Sequence, residues 1–228
     1  MDKVNIAQTI TTLWTPLNDE QRQLFIEALT VQRCERNCVL YKPGDSPDDC
    51  YYLVRGKVTI SRQGTAGIQQ IIRMVEPGAL FGYTPAFDDS LRQSLAVASE
   101  GAVVATVPMK LVFKFIWENK DFALVFIKEL SHLLGISVKH TMSMTQKHIR
   151  GRLAEILLHM KDKYGVERDG KTLSVYLSRQ DLGQMANMTT SNAIRTLSSF
   201  AQEGLIAIDG RKIRFLDIPS LERISDLG

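Results

Sequence analysis

The sequence predicts an α+β fold: an N-terminal antiparallel β-roll, one long helix, and a C-terminal winged helix-turn-helix. Three observations carry this. Between Val39 and Val107, short segments rich in β-branched and aromatic residues alternate with Gly/Pro turns. From Asp121 to about Thr145 there is no proline, and apolar residues recur at helical spacing. From Leu177 to Phe215, two short helical segments flank a tight turn and a cationic hairpin follows. At 228 residues the chain is long enough for two domains. The expected division is 1–118 for the roll, 119–147 for the long helix and 148–228 for the helix-turn-helix domain.

A short helix opens the readable pattern, with Asn18 as its cap and Leu24, Phe25, Ala28 and Leu29 as its apolar face. Strands Cys50–Val54, Val58–Ile60 and Ile68–Val75 then lie between turns at Lys42-Pro43-Gly44-Asp45, Arg55-Gly56, Gln63-Gly64 and Glu76-Pro77-Gly78. Strands so short and so regularly spaced close or roll an antiparallel sheet, as in a double-stranded β-helix. Cys34, Cys38 and Cys50 are odd in number, which argues against a disulfide framework. Their C-x3-C-x11-C spacing matches no common zinc or iron–sulfur pattern, so they read as small buried hydrophobes and no metal site is expected.

The long helix carries Phe122, Phe126, Leu130 and Leu133 at steps of four, four and three that continue through Ser137 and His140 to Met144. This is a coiled-coil-like seam with polar interruptions. About 25 residues give roughly 37 Å, more than a cover for the roll requires. The expectation is a dimerisation helix meeting a second copy through Phe126, Leu130, Leu133, Ser137, His140 and Met144. A helix over Ile149–Tyr164 follows, with Leu153, Ile156, Leu157 and Met160 on one face, then a strand over Lys171–Tyr176.

Ser178 followed by Asp181 has the form of a capping box, and Leu182, Met185 and Ala186 make the inner face of the first short helix. Asn187-Met188 breaks the run, Asn being tolerant of the left-handed conformation. The second helix starts at Thr189 or Thr190, places Ala193, Ile194, Leu197 and Phe200 inward, and stops at Gly204. That leaves Thr190, Ser191, Asn192 and Arg195 to face outward near its start, where such a helix enters the major groove of double-stranded DNA. Leu205–Ile208 and Arg211–Phe215 joined by Asp209-Gly210 form a hairpin whose tip, Arg211 and Lys212, is cationic like a phosphate-binding wing. Ser178, Arg179 and Thr189 complete the expected DNA-binding set.

Charge agrees with this division. The formal net charge is only +3, yet residues 139–215 hold 13 Lys/Arg against 7 Asp/Glu. A basic C-terminal third is the electrostatic footprint of phosphate binding. No stretch is long and apolar enough to cross a membrane, and Met1–Leu13 lacks the apolar core of a signal peptide, so a cytoplasmic location is expected. No nucleophile, base and orienter pattern appears, so an enzyme is not expected.

From about Leu17 to Leu216 the chain resembles the bacterial transcription regulators of the cyclic AMP receptor protein and fumarate–nitrate reduction regulator (CRP/FNR) family. Gly44, Gly56, Gly78 and Gly82 fall at the separations of twelve, twenty-two and four shown by that family's roll. Phe81-Gly82 sits at its phosphate-cassette helix, the His148-Ile-Arg-Gly-Arg-Leu-Ala segment looks like the start of its DNA-domain helix, and Arg179-Gln-Asp-Leu-Gly183 is close to its helix-turn-helix opening. The resemblance implies a cyclic-nucleotide-binding-like roll, an effector site at Gly82, Tyr83, Gln93, Ser94 and Ser137, a homodimer on a near-palindromic operator, and contact with RNA polymerase if the chain is an activator.

The family's cyclic AMP residues are altered. The Gly-Glu pair is Gly82-Tyr83, the Arg-Ser pair is Gln93-Ser94, and the adenine-side Thr-Ser pair is Ser137-Val138. Loss of the charged partner removes a contact worth roughly 1.5–3 kcal/mol. Arg92 is adjacent, but one step along a strand turns a side chain to the other face. Cyclic AMP is therefore not the expected effector, and an iron–sulfur cluster lacks the family's N-terminal cysteine group. Haem stays open through His132, His140 or His148 with Met74, Met142 or Met144, against the plainer reading of these as surface and core residues. The expected function is a sequence-specific regulator answering to haem, gas or a small metabolite. The alternative is a cyclic-nucleotide-type regulatory subunit acting on a protein partner.

Overall fold

The computed structural model describes residues 3–64 and 69–228. The chain divides into two compact units, Met1–Gly67 with Ile71–Gly135 and Ile68–Gln70 with Ile136–Gly228, so the division falls inside the long helix.

In the first unit, α1 (Lys3–Thr9), α2 (Thr11–Trp14) and α3 (Asp19–Ala28) precede the sheets. Helix α3 starts at Asn18 as its cap, as expected, and Gln21 extends the cap to a full capping box. Strands β1 (Thr30–Cys34), β2 (Val39–Tyr41), β3 (Asp49–Arg55), β4 (Val58–Gln63), β5 (Gln69–Val75), β6 (Leu80–Phe81), β7 (Leu95–Ala98) and β8 (Ala102–Pro108) form two four-stranded sheets, ordered β1-β8-β3-β6 and β2-β7-β4-β5. The expected strand from Ile68 is seen from Gln69; Ile68 lies outside the described residues.

Strand β3 shows why the roll needs helices. Tyr51 and Leu53 enter the core between the sheets with Val58, Val75, Phe81 and Val104, while Cys50 and Tyr52 belong to a second core with Phe25, Leu29, Val107 and Phe115. Successive strand residues point to opposite faces, so a strand buried on both sides needs a cover on each. Cys34 and Cys50 are buried and Cys38 partly so, all as free thiols.

After α4 (Met109–Glu118), the side chain of Asn119 accepts from the N–H groups of Asp121 and Phe122 and starts α5 (Lys120–Gln146). The expected dimer seam fails along α5's first half. Phe126 is 2% exposed. Its ring lies 5.4 Å from Tyr83 and 5.5 Å from Phe122, inside its own unit, and Leu130 and Leu133 lean on the same core. His140, half buried, has its Nε2 3.2 Å from Gln70 Nε2. Met144 is half buried and Ser137 exposed. The aromatic residues chose the roll as their partner because it offers the nearest apolar surface.

A different stripe of α5 is bare: Leu124, Ile127, Ser131, Leu134, Val138, Thr141 and Thr145 are all exposed. Their steps of three and four, sustained throughout, make a heptad seam.

The second unit contains α6 (Ile149–Tyr164), α7 (Arg179–Met185), α8 (Thr190–Gln202), the hairpin β9 (Ile206–Asp209) and β10 (Lys212–Phe215), and α9 (Ile218–Leu227). Helices α6 and α9 cross closely at Gly151, where a Cβ would come within 2.7 Å of the Gly228 backbone. The strand expected over Lys171–Tyr176 is reduced to two isolated bridges, Val166 with Leu173 and Thr172 with Arg214. Asp169 bends the segment away from a longer ladder by accepting from the Lys171 and Thr172 N–H groups and the Thr172 hydroxyl.

Candidate nucleic-acid interface and roll cavity

Helix α7 begins at a full capping box: Asp181 N–H donates to Ser178 Oγ (3.0 Å), while Ser178 N–H and Oγ–H donate to Asp181 Oδ2 (3.0 and 2.7 Å). Ser178, expected to touch DNA, thus spends its hydroxyl proton on the cap. Asn187 takes φ +50° in the turn, as its position suggested. Thr189 caps α8 by accepting from Asn192 N–H (3.2 Å), and its hydroxyl remains exposed. Gly183 lets the two helices close on the turn, since a Cβ there would lie 3.0 Å from the Met188 carbonyl oxygen.

One residue of α8 is placed differently from the sequence reading. Ala193, Thr196, Leu197 and Phe200 face inward, and Ile194 is 47% exposed. At about 100° per residue, Thr196 shares the face of Ala193, Leu197 and Phe200, whereas Ile194 is a quarter-turn beyond Ala193. Thr190, Ser191, Ile194, Arg195 and Ser198 therefore form one exposed stripe. Arg195 Nη2 donates to Asn192 Oδ1 at 2.5 Å, which holds the guanidinium against the helix surface.

The wing is tied to this head. Arg179 Nη2 donates to the Gly210 carbonyl at 2.7 Å, linking the start of α7 to the hairpin turn. Arg179 is partly buried, and its Nη1 has no hydrogen-bond partner among the described residues. Lys212 is drawn back along the hairpin, its Nζ 3.8 Å from Glu167 and 5.6 Å from the Tyr176 ring centre. The Glu167 charge, followed by Tyr176, raises its pKa. Arg211 makes no ion pair among the described residues and is the exposed cation at the tip.

The roll holds a cavity of about 370 Å³ lined by Tyr41, Ile60, Arg62, Ile72, Arg73, Phe81, Gly82, Tyr83, Thr84, Pro85, Asp88, Ser90, Arg92, Gln93, Ser94 and Leu133. Gly82, Tyr83, Gln93 and Ser94 are thus brought together, and Ser137 is not among the lining residues. Tyr83 backs the cavity rather than reaching into it: its ring is 0% exposed, and its hydroxyl has no hydrogen-bond partner among the described residues. Burial pushes that phenol well above its usual range.

Arg92 contradicts the expectation that it faces away. Residues 91–94 are not a strand, so alternation does not apply. The side chain is 3% exposed and its guanidinium is spent on three carbonyls, those of Ser46 (3.2 Å), Gly82 (2.5 Å) and Asp49 (3.0 Å). It also stacks over Tyr41 at 4.2 Å and Tyr51 at 5.2 Å. Gly82, at φ +75°, must be glycine because a Cβ would meet Arg92 Nη1 at 2.7 Å.

The cavity does not fit cyclic AMP. Tyr83 rather than a glutamate follows Gly82, Gln93 stands at the charged position, and Arg92, the lining arginine beside that position, is committed to backbone carbonyls. None of His132, His140, His148, Met74, Met142 and Met144 lines it, so it offers haem none of the expected axial ligands.

A capped two-helix head with a polar outer stripe, continued by a cationic hairpin and accompanied by a β-roll with an internal cavity, defines a DNA-binding transcription regulator. Comparison with known proteins agrees at both ends: residues 31–119 match the cyclic nucleotide-binding domain and residues 151–224 the Crp-like helix-turn-helix domain. The chain belongs to the CRP/FNR family of transcription regulators. Among its relatives, the global nitrogen regulator of Nostoc sp. is 25% identical over 186 residues, 80% of this chain and 83% of its own. The transcriptional regulatory protein btr of Bordetella pertussis is 28% identical over 84% of this chain and 79% of its own. A Crp/Fnr-family regulator structure from Eubacterium rectale superposes with a TM-score of 0.79 at 14% identity, covering 94% of this chain and 97% of that one. No described helix is long and apolar enough to cross a membrane.

Proposed function

We propose that the chain works as a homodimer that presents two α8 helices to successive major grooves of a near-palindromic operator, roughly 34 Å apart. The observation that carries this is the bare heptad stripe of α5. Leu124, Ile127, Leu134 and Val138 leave a row of aliphatic side chains in water that a second copy would cover. Thr190, Ser191, Asn192 and Arg195 then supply base and phosphate contacts, and Arg211 with Lys212 neutralises phosphate at the wing.

The roll cavity is the effector site in this reading. Arg62 and Arg73 line it beside the committed Arg92, with Asp88 as the single carboxylate among the lining residues, so its charge suits a small anionic metabolite, while the lack of a lining His or Met argues against haem. The effector regulates by binding one orientation of the DNA-binding units better than another. Contact with RNA polymerase follows where the bound dimer activates.

Sedimentation of the full chain together with fluorescence anisotropy on duplex DNA tests the reading. The wild type should be dimeric and bind with steep salt dependence. Leu134→Glu should give a folded monomer, identified by an unchanged circular dichroism spectrum, with operator affinity reduced at least a hundredfold. A wild-type chain that binds no duplex at low salt, or a Leu134→Glu variant that stays dimeric, overturns the proposal.

A further inference from the structure

Resting on the reading of α8 as the base-reading helix, we propose that Ile194 is a specificity residue that selects thymine by packing on its C5-methyl group. The exposed stripe of α8 is Thr190, Ser191, Ile194, Arg195 and Ser198. Four of these side chains have groups that can hydrogen-bond to base edges or phosphates, and one does not. Ile194 sits in the middle of the stripe, on the second turn of the helix, 47% exposed.

The inner face does not need this side chain. Thr196 fills the place beside Ala193, Leu197 and Phe200, and is itself buried. A branched aliphatic group among hydrogen-bonding neighbours gains nothing from phosphate or from a polar base edge. The apolar feature on the floor of the major groove is the thymine methyl; guanine, cytosine and adenine present donors and acceptors there. Ile194 is also stiff at χ1 in a helix, so its position relative to the groove is fixed by the backbone and loses little freedom on contact.

Its neighbour makes the choice sharper. Arg195 is held by Asn192 at 2.5 Å, one turn back toward the start of the helix. An arginine that can take a guanine, next to an isoleucine that takes a thymine, gives a two-base reading unit in each half-site.

The test uses the full-length chain. Duplexes enriched by the wild type from a random pool give the half-site sequence. Each thymine of the enriched duplex is then replaced singly by deoxyuridine, which pairs identically and lacks the methyl, and affinity is read by anisotropy. At one thymine per half-site the wild type should lose about four-fold, the effect of leaving one methyl-sized group uncovered. Ile194→Ala should bind the thymine and deoxyuridine duplexes equally. Ile194→Val, which keeps the branched methyls, should retain most of the discrimination. Placing 5-methylcytosine opposite guanine at that position should recover part of the wild-type affinity lost on replacing thymine with cytosine.

Deoxyuridine tolerated at every thymine by the wild type, or an Ile194→Ala variant that discriminates as well as the wild type, overturns the inference while leaving α8 as the reading helix. A wild type that enriches no sequence at all overturns both. Because Ile194 packs on the outside of the helix, its variants should keep the wild-type unfolding midpoint, which separates a recognition effect from a folding one.

Discussion

Arg92 is a positive charge inside the roll held by carbonyl groups and tyrosine faces. Its bonds to three backbone carbonyls fix the loop around Ser46 to Asp49 against Gly82, so the side chain braces the cavity wall. Arg92→Met should therefore destabilise the roll by about 3 kcal/mol in urea unfolding, because it leaves buried carbonyls unpaired; a loss under about 1 kcal/mol contradicts the bracing role. Residue identity made this position conspicuous, yet its direction was misread, since alternation holds only inside a strand and residues 91–94 are not one. The inward assignment of Ile194 failed for a related reason: hydropathy placed Ile inward, whereas helical phase gives the inner face to Thr196. Signals tied to backbone geometry were more legible, as Asn18, Ser178 and Asn187 show, because a cap or a left-handed turn is satisfied locally.

Among the elements, helix α8 is anchored at its far end by Arg150 of α6, which bonds Glu203 through both guanidinium ends at 2.8 and 2.6 Å. That pairing, helped by the Ser199 hydroxyl, lowers the Glu203 pKa to about 2. An unfolded glutamate titrates near 4.3, so the pair's contribution is present in full above that pH and is lost as pH falls toward 2. Both side chains are about four-tenths exposed, which limits the contribution to under about 1 kcal/mol. The wild type should lose its stability advantage over Glu203→Gln between about pH 5 and 2 in denaturant titrations; an advantage that is unchanged at pH 2 rules the pair out as its source. Helix α5 was legible as one long helix from its lack of proline, and its partner face was not. Two apolar stripes share that helix, and sequence spacing alone does not say that Phe122 and Phe126 find Phe115 and Tyr83 first.

For the whole molecule, the order of roll, long helix and winged head was readable from turn spacing and the basic C-terminal third. The cavity was not, because its lining converges from Tyr41 to Leu133 across several strands. Electrostatics at this scale makes a measurable claim about Arg211. If the dimer sets one Arg211 on a phosphate in each half-site, Arg211→Ala should lower the slope of log affinity against log salt by about 2 in all, and do so on every sequence. An unchanged slope means that the wing tip does not reach the backbone.

The bond from Arg179 to the Gly210 carbonyl has a consequence for which DNA geometries can be bound at all. It fastens the hairpin tip to the start of α7, and the close approach at Gly183 brings α7 against the turn that leads into α8. If α8 reads the groove and the wing touches the backbone, as proposed, the two become points of a rigid caliper. The distance from the bases read to the phosphate gripped is then a property of the protein. Within a half-site, a duplex whose groove is too wide or too narrow must itself deform to be held, and sequences that deform cheaply are favoured even at positions that no side chain touches.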